Sequence, residues 1–192
     1  MKYIDLFGMP TPMKITGRSS SITNAFINSI IPVIQPSESE VKKALEILGM
    51  GLDSFQCAYC GSIASEWDHL RPLVMKQKPT GYISEIHNLV PSCGKCNQSK
   101  GNKEWCIWIQ SNAKLSPKTR GIPDLSERIS RLEKYEMWGE PTKLDFAEIV
   151  GVDEWKKHWQ KWQAILDLMK DAQAHATTIK SSIAHAYESS NP

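Results

Sequence analysis

The stretch Cys57–Asn102, CAYCGSIASEWDHLRPLVMKQKPTGYISEIHNLVPSCGKCNQSKGN, decides the fold. It holds two Cys-x-x-Cys pairs, Cys57/Cys60 and Cys93/Cys96, with an Asp68-His69 dipeptide and Asn88 between them and Asn97 and Lys100 after them. A Cys-x-x-Cys turn presents two thiolates at one bite, and Zn(II) takes four of them tetrahedrally. Two such turns make one closed site with no open position for water, so Cys57, Cys60, Cys93 and Cys96 are expected to hold a structural zinc. That metal would pin the two ends of the stretch together and let the residues between them fold around little core of their own. A redox role is disfavoured, because two pairs are present and nothing thioredoxin-like surrounds either. Cys106 reads as a buried small residue in a helix.

Between the knuckles, Ala64–Pro72 reads as a strand with Asp68 and His69 at its end. Neighbours on a strand point to opposite sides, so the two would serve different tasks. A carboxylate suits a hard cation such as Mg(II), and an imidazole suits proton abstraction near neutral pH. After the Lys78-Pro-Thr-Gly81 loop, Ile86–Val90 is expected to return as a second strand. The second knuckle would open a short helix carrying Asn97 and Lys100. The expected product is a compact ββα unit on which Asp68, His69 and Asn97 converge.

These residues, a DH-x-x-P strand and a C-x-x-C-N-x-x-K-x-N helix, resemble the HNH (ββα-metal) endonuclease family in its four-cysteine, zinc-ribbed variety. The likeness runs from about Phe55 to Trp105, roughly a quarter of the chain. It implies single-metal hydrolysis of a phosphodiester. By position, His69 would be the general base, Asp68 a metal ligand, and Asn88 the middle residue that shapes the loop and holds the histidine. Asn97 would be the second metal ligand and Lys100 would lie near the phosphate. Asn rather than His at position 97 points to oxygen ligands, hence Mg(II) or Mn(II) beside the structural Zn(II). His87 is a weaker candidate for metal or phosphate, with a structural role preferred.

The rest of the chain is read as what positions this unit. Composition, with 41% hydrophobic and 23% charged residues, is that of a soluble globular protein. No apolar run approaches the roughly 20 residues of a membrane helix. The start, MKYIDLFGMPTPMK, is broken by Pro10 and Pro12 and lacks a signal-peptide core, so a cytoplasmic location is expected. The net charge of +2 hides an asymmetry: residues 71–120 carry nine Lys/Arg against Glu85 and Glu104. Such a basic stretch suits a phosphate-rich partner, since neutralising phosphates releases counterions. Candidate DNA contacts are Arg71, Lys76, Lys78, Lys95, Lys103, Lys114, Lys118 and Arg120, with Arg18 in the N-terminal arm.

In the flanks, Met1 to about Ser21 reads as an irregular arm. A short helix over Thr23–Ile31 would be capped by Thr23 or Ser21 and pack Ala25, Phe26 and Ile30. Ser37-x-x-Glu40 forms a capping box ahead of a helix presenting Val41, Leu45 and Leu48. A helix over about 103–112 would bury Trp105, Trp108 and Ile109. Asp124-x-x-Glu127 is a second capping box, opening a helix through about Met137 with Ile129 and Leu132 inward. The last and longest helix, Asp153 to about Tyr187, carries Trp155, Trp159, Trp162, Leu166 and Met169 as one stripe.

The fold class expected is α+β: a nuclease unit over 53–112, an N-terminal arm and helices over 1–52, and a helical region for packing or dimerisation over 113–192. The function expected is a metal-dependent endonuclease on double-stranded DNA, sequence-specific in the manner of a type II restriction enzyme. It would act as a homodimer, whose two-fold symmetry matches a palindromic site. A homing or phage-type nicking HNH enzyme is the alternative within this chemistry. A non-catalytic zinc-ribbon module that binds nucleic acid is the alternative outside it.

Overall fold

The structure, a computed structural model, describes residues 3–191, so the expectations for Met1, Lys2 and Pro192 fall outside the described residues. In chain order the α-helices are α1 (Ser19–Asn28), α2 (Glu38–Ile47), α3 (Gly94–Lys100), α4 (Trp105–Ile109), α5 (Leu125–Trp138), α6 (Phe146–Val150) and α7 (Val152–Ser190). The strands are β1 (Glu66–His69), β2 (Val74–Met75), β3 (Lys78–Pro79) and β4 (Leu89–Ser92). Strand β1 pairs antiparallel with β4, and β2 with β3. Helices around a small unit of β1, β4 and α3 make the α+β class expected from the sequence.

The chain divides into two compact units, one holding residues through Phe26 with Val150 onward, the other Ile27–Ile149. The second unit carries the ββα element, and helices from both flanks of that element share its core. The core gathers Tyr59, Leu70, Val90, Trp105, Trp108, Leu132 and Tyr135. Tyr59 meets Trp108 edge-on, with ring centroids 5.2 Å apart, a geometry favoured by the aromatic quadrupoles. The Tyr135 hydroxyl donates to Ile86 O (2.5 Å) and Leu89 O (3.0 Å), which ties the entry of β4 to α5.

Helix α2 starts as its sequence demands. The Ser37 amide donates to Glu40 Oε2 (2.7 Å) and the Glu40 amide to Ser37 Oγ (3.3 Å), a complete capping box. It stops before Gly49, whose φ of +67° suits only a residue without a Cβ penalty. Ala44 is its buried residue and Leu48, just past its end, is buried too, while Val41 is 38% exposed. Helix α5 begins at its expected place by another route. Asp124 makes no capping bond; its carboxylate accepts from Arg128 Nε (2.9 Å) and Nη2 (2.7 Å) instead. Arg128 is buried, and a buried guanidinium needs its partner more than a helix end reached by water does.

Other boundaries move. The expected second strand starts three residues late: Ile86–Asn88 form a 3-10 turn, and pairing begins at Leu89. Helix α4 turns Trp105, Trp108 and Ile109 inward, which points Cys106 to solvent, so the buried reading of that cysteine is wrong. Helix α1 begins at Ser19, leaving Thr23 inside it and Ala25 exposed.

In the first unit, the expected irregular arm contains 3-10 turns at Tyr3–Leu6 and Ile15–Arg18. Helix α7 runs 39 residues, about 58 Å at 1.5 Å each. Trp155, Trp159 and Trp162 follow one another edge-on at 5.5 and 5.7 Å. Trp162 Nε1 donates to Thr23 Oγ1 (3.0 Å), and Gln173 Oε1 accepts from the Ile15 amide (2.7 Å). The tryptophan stripe is half-buried rather than core, and farther on Ile183 and Tyr187 are exposed. No helix among the described residues is long and apolar enough to cross a membrane.

Candidate active site

The thiolate cluster forms as the spacing requires. The Sγ atoms of Cys57, Cys60, Cys93 and Cys96 all lie within 4.8 Å of one another and all four residues are buried. Cys60 Sγ and Cys93 Sγ stand 3.7 Å apart. Four ligands at about 2.3 Å around a tetrahedral zinc sit about 3.8 Å from each other, so the cluster fits that ion. Backbone bonds shape both knuckles. Gly61 N donates to Cys57 O (2.9 Å), and Gly61 adopts φ +76°; Asn97 N donates to Cys93 O (3.0 Å). The Ala58 amide donates to Pro91 O (2.8 Å), which lays the first knuckle along β4. Two arginines the sequence reading did not place here support the cluster. Arg128 Nη1 donates to Cys57 O (3.2 Å), and Arg120 Nη1 to Cys96 Sγ (3.3 Å). Such outer contacts hold ligands in orientation and offset thiolate charge.

Strand β1 sorts the catalytic candidates by parity. Its register sets Glu66 opposite Ser92, Trp67 opposite Pro91, Asp68 opposite Val90 and His69 opposite Leu89. Side chains alternate, so Glu66 and Asp68 share one face and Trp67 and His69 the other. On the first face, α3 answers both carboxylates. Asn97 Nδ2 donates to Glu66 Oε2 (2.6 Å), and Lys100 Nζ lies 3.2 Å from Asp68 Oδ1 and 3.1 Å from Oδ2.

Asp68 is 5% exposed and Lys100 0%. The Lys100 ammonium also donates to His69 O (2.7 Å), and the Tyr59 hydroxyl to Asp68 Oδ2 (2.6 Å). Burial pushes the Asp68 carboxyl up from its ordinary value and the Lys100 amine down, while their mutual attraction opposes both shifts. Tyr59, desolvated and beside that carboxylate, is raised well above the usual phenol value and stays a donor. Lys100 was expected beside the phosphate. It is a buried counter-ion behind the strand, because every direction its ammonium faces is already filled by protein oxygen.

On the opposite face, His69 Nε2 lies 2.9 Å from Ser84 Oγ. Ser84 is itself fixed by backbone bonds to the segment before α2, with Ile34 N donating to Ser84 O (2.8 Å) and Ser84 N to Pro32 O (3.2 Å). Burial first, and the Lys100 ammonium second, lower the His69 pKa to about 4. The ring is therefore neutral across the physiological range. Asn88 is fully buried and acts on the backbone after His69: its Oδ1 accepts from Arg71 N (2.7 Å) and its Nδ2 donates to Arg71 O (3.1 Å) and Ile83 O (3.2 Å). His87 packs on Trp138 at 4.4 Å, away from these groups.

The oxygen donors here, the Asp68 carboxylate and the Asn97 side-chain carbonyl, suit a hard divalent ion. Asn97 Oδ1 takes no hydrogen bond among the described residues, whereas both Asp68 oxygens are engaged. Asp68 would reach a metal only by sharing an oxygen with Lys100 or Tyr59.

The basic residues divide. Arg71 is held between Glu104 and Glu136, each at 2.6 Å, and Lys103 Nζ donates to Ser99 O (2.9 Å) at the end of α3. With Arg120 on Cys96, the two arginines spend donors inside the protein, whereas Lys103 stays exposed. Lys76, Lys78, Lys95, Lys114 and Lys118 are exposed. Lys76 and Gln77, at φ +50° and +62°, make the tight turn of the β2–β3 hairpin and carry lysine to its tip. Glu66, Tyr59, Ser84 and Arg128 were missed in the sequence. Only Glu66 left a signal there, standing two residues before Asp68 on the same strand face.

A ββα unit closed by four clustered cysteines, with a neutral histidine at the strand end, defines a class, and comparison with known proteins gives the same one. Residues 57–103 match the HNH endonuclease family, so the chain carries an HNH endonuclease domain. A 62-residue stretch, 30% of this chain, is 42% identical to the CRISPR-associated endonuclease Cas9 of Corynebacterium diphtheriae. The match spans 5% of that much longer protein, so the likeness concerns the domain alone. No solved structure matches the chain.

Three outcomes follow from this geometry. The purified protein should carry about one zinc per chain by elemental analysis, and Cys96→Ser should lose both the zinc and cooperative thermal unfolding; a zinc-free protein with the wild-type transition rules the clamp out. Lys100→Met strands a buried carboxylate and should cost about 3–5 kcal/mol in urea unfolding, and a cost under about 1 kcal/mol would mean the pair is not buried in solution. In an NMR titration the His69 ring should stay neutral between about pH 5 and 8, with its midpoint well below the ordinary imidazole value.

Proposed function

We propose that this protein is a metal-dependent endonuclease that hydrolyses phosphodiester bonds in double-stranded DNA, with His69 as the general base. One observation carries the proposal: within the HNH-matching segment, β1 holds a neutral, half-buried histidine on one face while its other face presents carboxylates toward Asn97 and Lys100 of α3. If Nε2–H donates to Ser84 Oγ, the Nδ1 lone pair is left to accept a proton from water, and the lowered pKa keeps that lone pair available at neutral pH. Asn88 fixes the backbone that follows His69, so the ring is held at one height. Asp68 and Asn97 would hold Mg(II) or Mn(II), whose bound charge stabilises the phosphate as negative charge develops. The exposed lysines of the β2–β3 hairpin, of α3 and of the 113–123 loop would follow the DNA backbone, positioning rather than reading it.

The nuclease unit is residues 53–112, with residues 1–52 and 113–192 serving placement. The finer role we favour is sequence-specific, restriction-type cleavage by a cytoplasmic homodimer. The half-buried tryptophan face of α7 supports a further contact in that unit, and two copies would supply one active site for each strand. Nicking of one strand alone would instead favour the homing or phage-type role.

Plasmid incubated with Mg(II) or Mn(II) should be cut, EDTA should stop it, and His69→Ala should lower the rate by about two to four orders of magnitude with zinc content and DNA binding retained. A His69→Ala variant that cuts at the wild-type rate removes the histidine from the chemistry. Intact plasmid under every metal and sequence tried would favour a zinc-ribbon binding module.

A further inference from the structure

Strand β1 and helix α3 meet in two rungs, Glu66 with Asn97 and Asp68 with Lys100. They match because side chains two apart on a strand and three apart on a helix each recur on one face. The second rung is buried and neutralised. The first is half-exposed, and its carboxylate has an amide as partner rather than a cation. That asymmetry gives Glu66 a task.

A primary amide has a donor end and an acceptor end of nearly the same shape, and unaided it turns either way. At 2.6 Å from Glu66 Oε2, only the Nδ2 end of Asn97 is tolerable, since Oδ1 there would set two acceptor oxygens against each other. The carboxylate therefore fixes the flip of Asn97 and leaves its carbonyl Oδ1 directed to the side free of protein partners. Its negative charge also draws the amide dipole toward itself, which raises electron density on Oδ1. Gly94 makes room for the arrangement, because a Cβ there would stand 2.9 Å from Glu66 Oε1. We infer that Glu66 is the positioning residue of the metal centre, acting through Asn97 by locking its carbonyl toward the cation. The inference rests on the nuclease reading above, in which Asn97 is a ligand.

Mn(II) alone, titrated into the zinc-loaded protein and followed by electron paramagnetic resonance, tests it without asking for cleavage. Glu66→Ala frees the amide and should weaken Mn(II) binding about 10–100-fold, the range seen when an outer partner of a ligand is removed. Glu66→Gln offers Asn97 either a donor or an acceptor, so it releases the flip and should weaken Mn(II) binding along with Glu66→Ala. In wild-type protein the Asn97 side-chain amide should give a hydrogen-bonded, exchange-protected ¹⁵N pair that is lost in Glu66→Ala and shifted in Glu66→Gln. Unchanged affinity in Glu66→Ala overturns the inference, as does a Glu66→Gln variant that binds weakly while its Asn97 amide keeps the wild-type ¹⁵N signature, which would make Glu66 a direct ligand. If Glu66→Ala does not fold, a wild-type Asn97 amide that exchanges freely overturns it equally. Wild-type protein that binds no Mn(II) and cuts no DNA sinks the nuclease reading itself, whereas wild-type binding with an indifferent Glu66 sinks only this step.

Discussion

The structure depends on one convergence: four thiolates, contributed in pairs from either side of a 32-residue separation between Cys60 and Cys93, brought within 4.8 Å. A two-stranded sheet is marginal alone in water. A metal bound at the cluster would supply what the sheet lacks, since metal held by a folded cluster and not by an unfolded chain adds its binding energy to folding. It would also fix the beginning of α3 beside β1. Arg120 and Arg128 extend the same tie outward, one to the Cys96 sulfur and the other to the Cys57 carbonyl, so that α5 and the basic loop are tied to the cysteine cluster.

Within that frame, two kinds of carboxylate stand side by side on β1. Asp68 has lost nearly all contact with water, and its charge persists because Lys100 and Tyr59 are already in place. Burying such a pair costs desolvation on both partners, and its return is geometric definition more than stability. Here the definition falls on His69, whose carbonyl is held by the same ammonium that lowers its pKa. Glu66, still half in solvent, is the partner that can respond to what arrives.

How much of this the sequence disclosed depended on range. The knuckles, the Asp68-His69 strand and the α3 residues were legible, because each rests on spacings of two to four residues that geometry dictates. The Ser37 box held for the same reason. The Asp124 box did not, because Arg128 is buried against Cys57, a long-range contact no local pattern reports. Charge misled in a similar way: Lys100, Arg71 and Arg120 count as basic in any composition, yet each is neutralised by a group that only the fold brings near. Cys106 shows the converse, a residue of buried type turned outward because three bulkier neighbours claim the inward face of α4.

The alternation along β1 has a consequence for how such a protein can change. Substitution at Trp67 alters one side chain and leaves its neighbours' directions intact. Inserting or deleting a single residue within β1 would shift parity there and part Glu66 from the face it shares with Asp68. The β2–β3 hairpin, by contrast, lies outside the β1–β4 pairing and hands the chain back to it through Asn88. Length is therefore free to drift in that hairpin and forbidden to drift within β1, so the reach of the lysine-tipped finger can change while the count from Glu66 to His69 cannot.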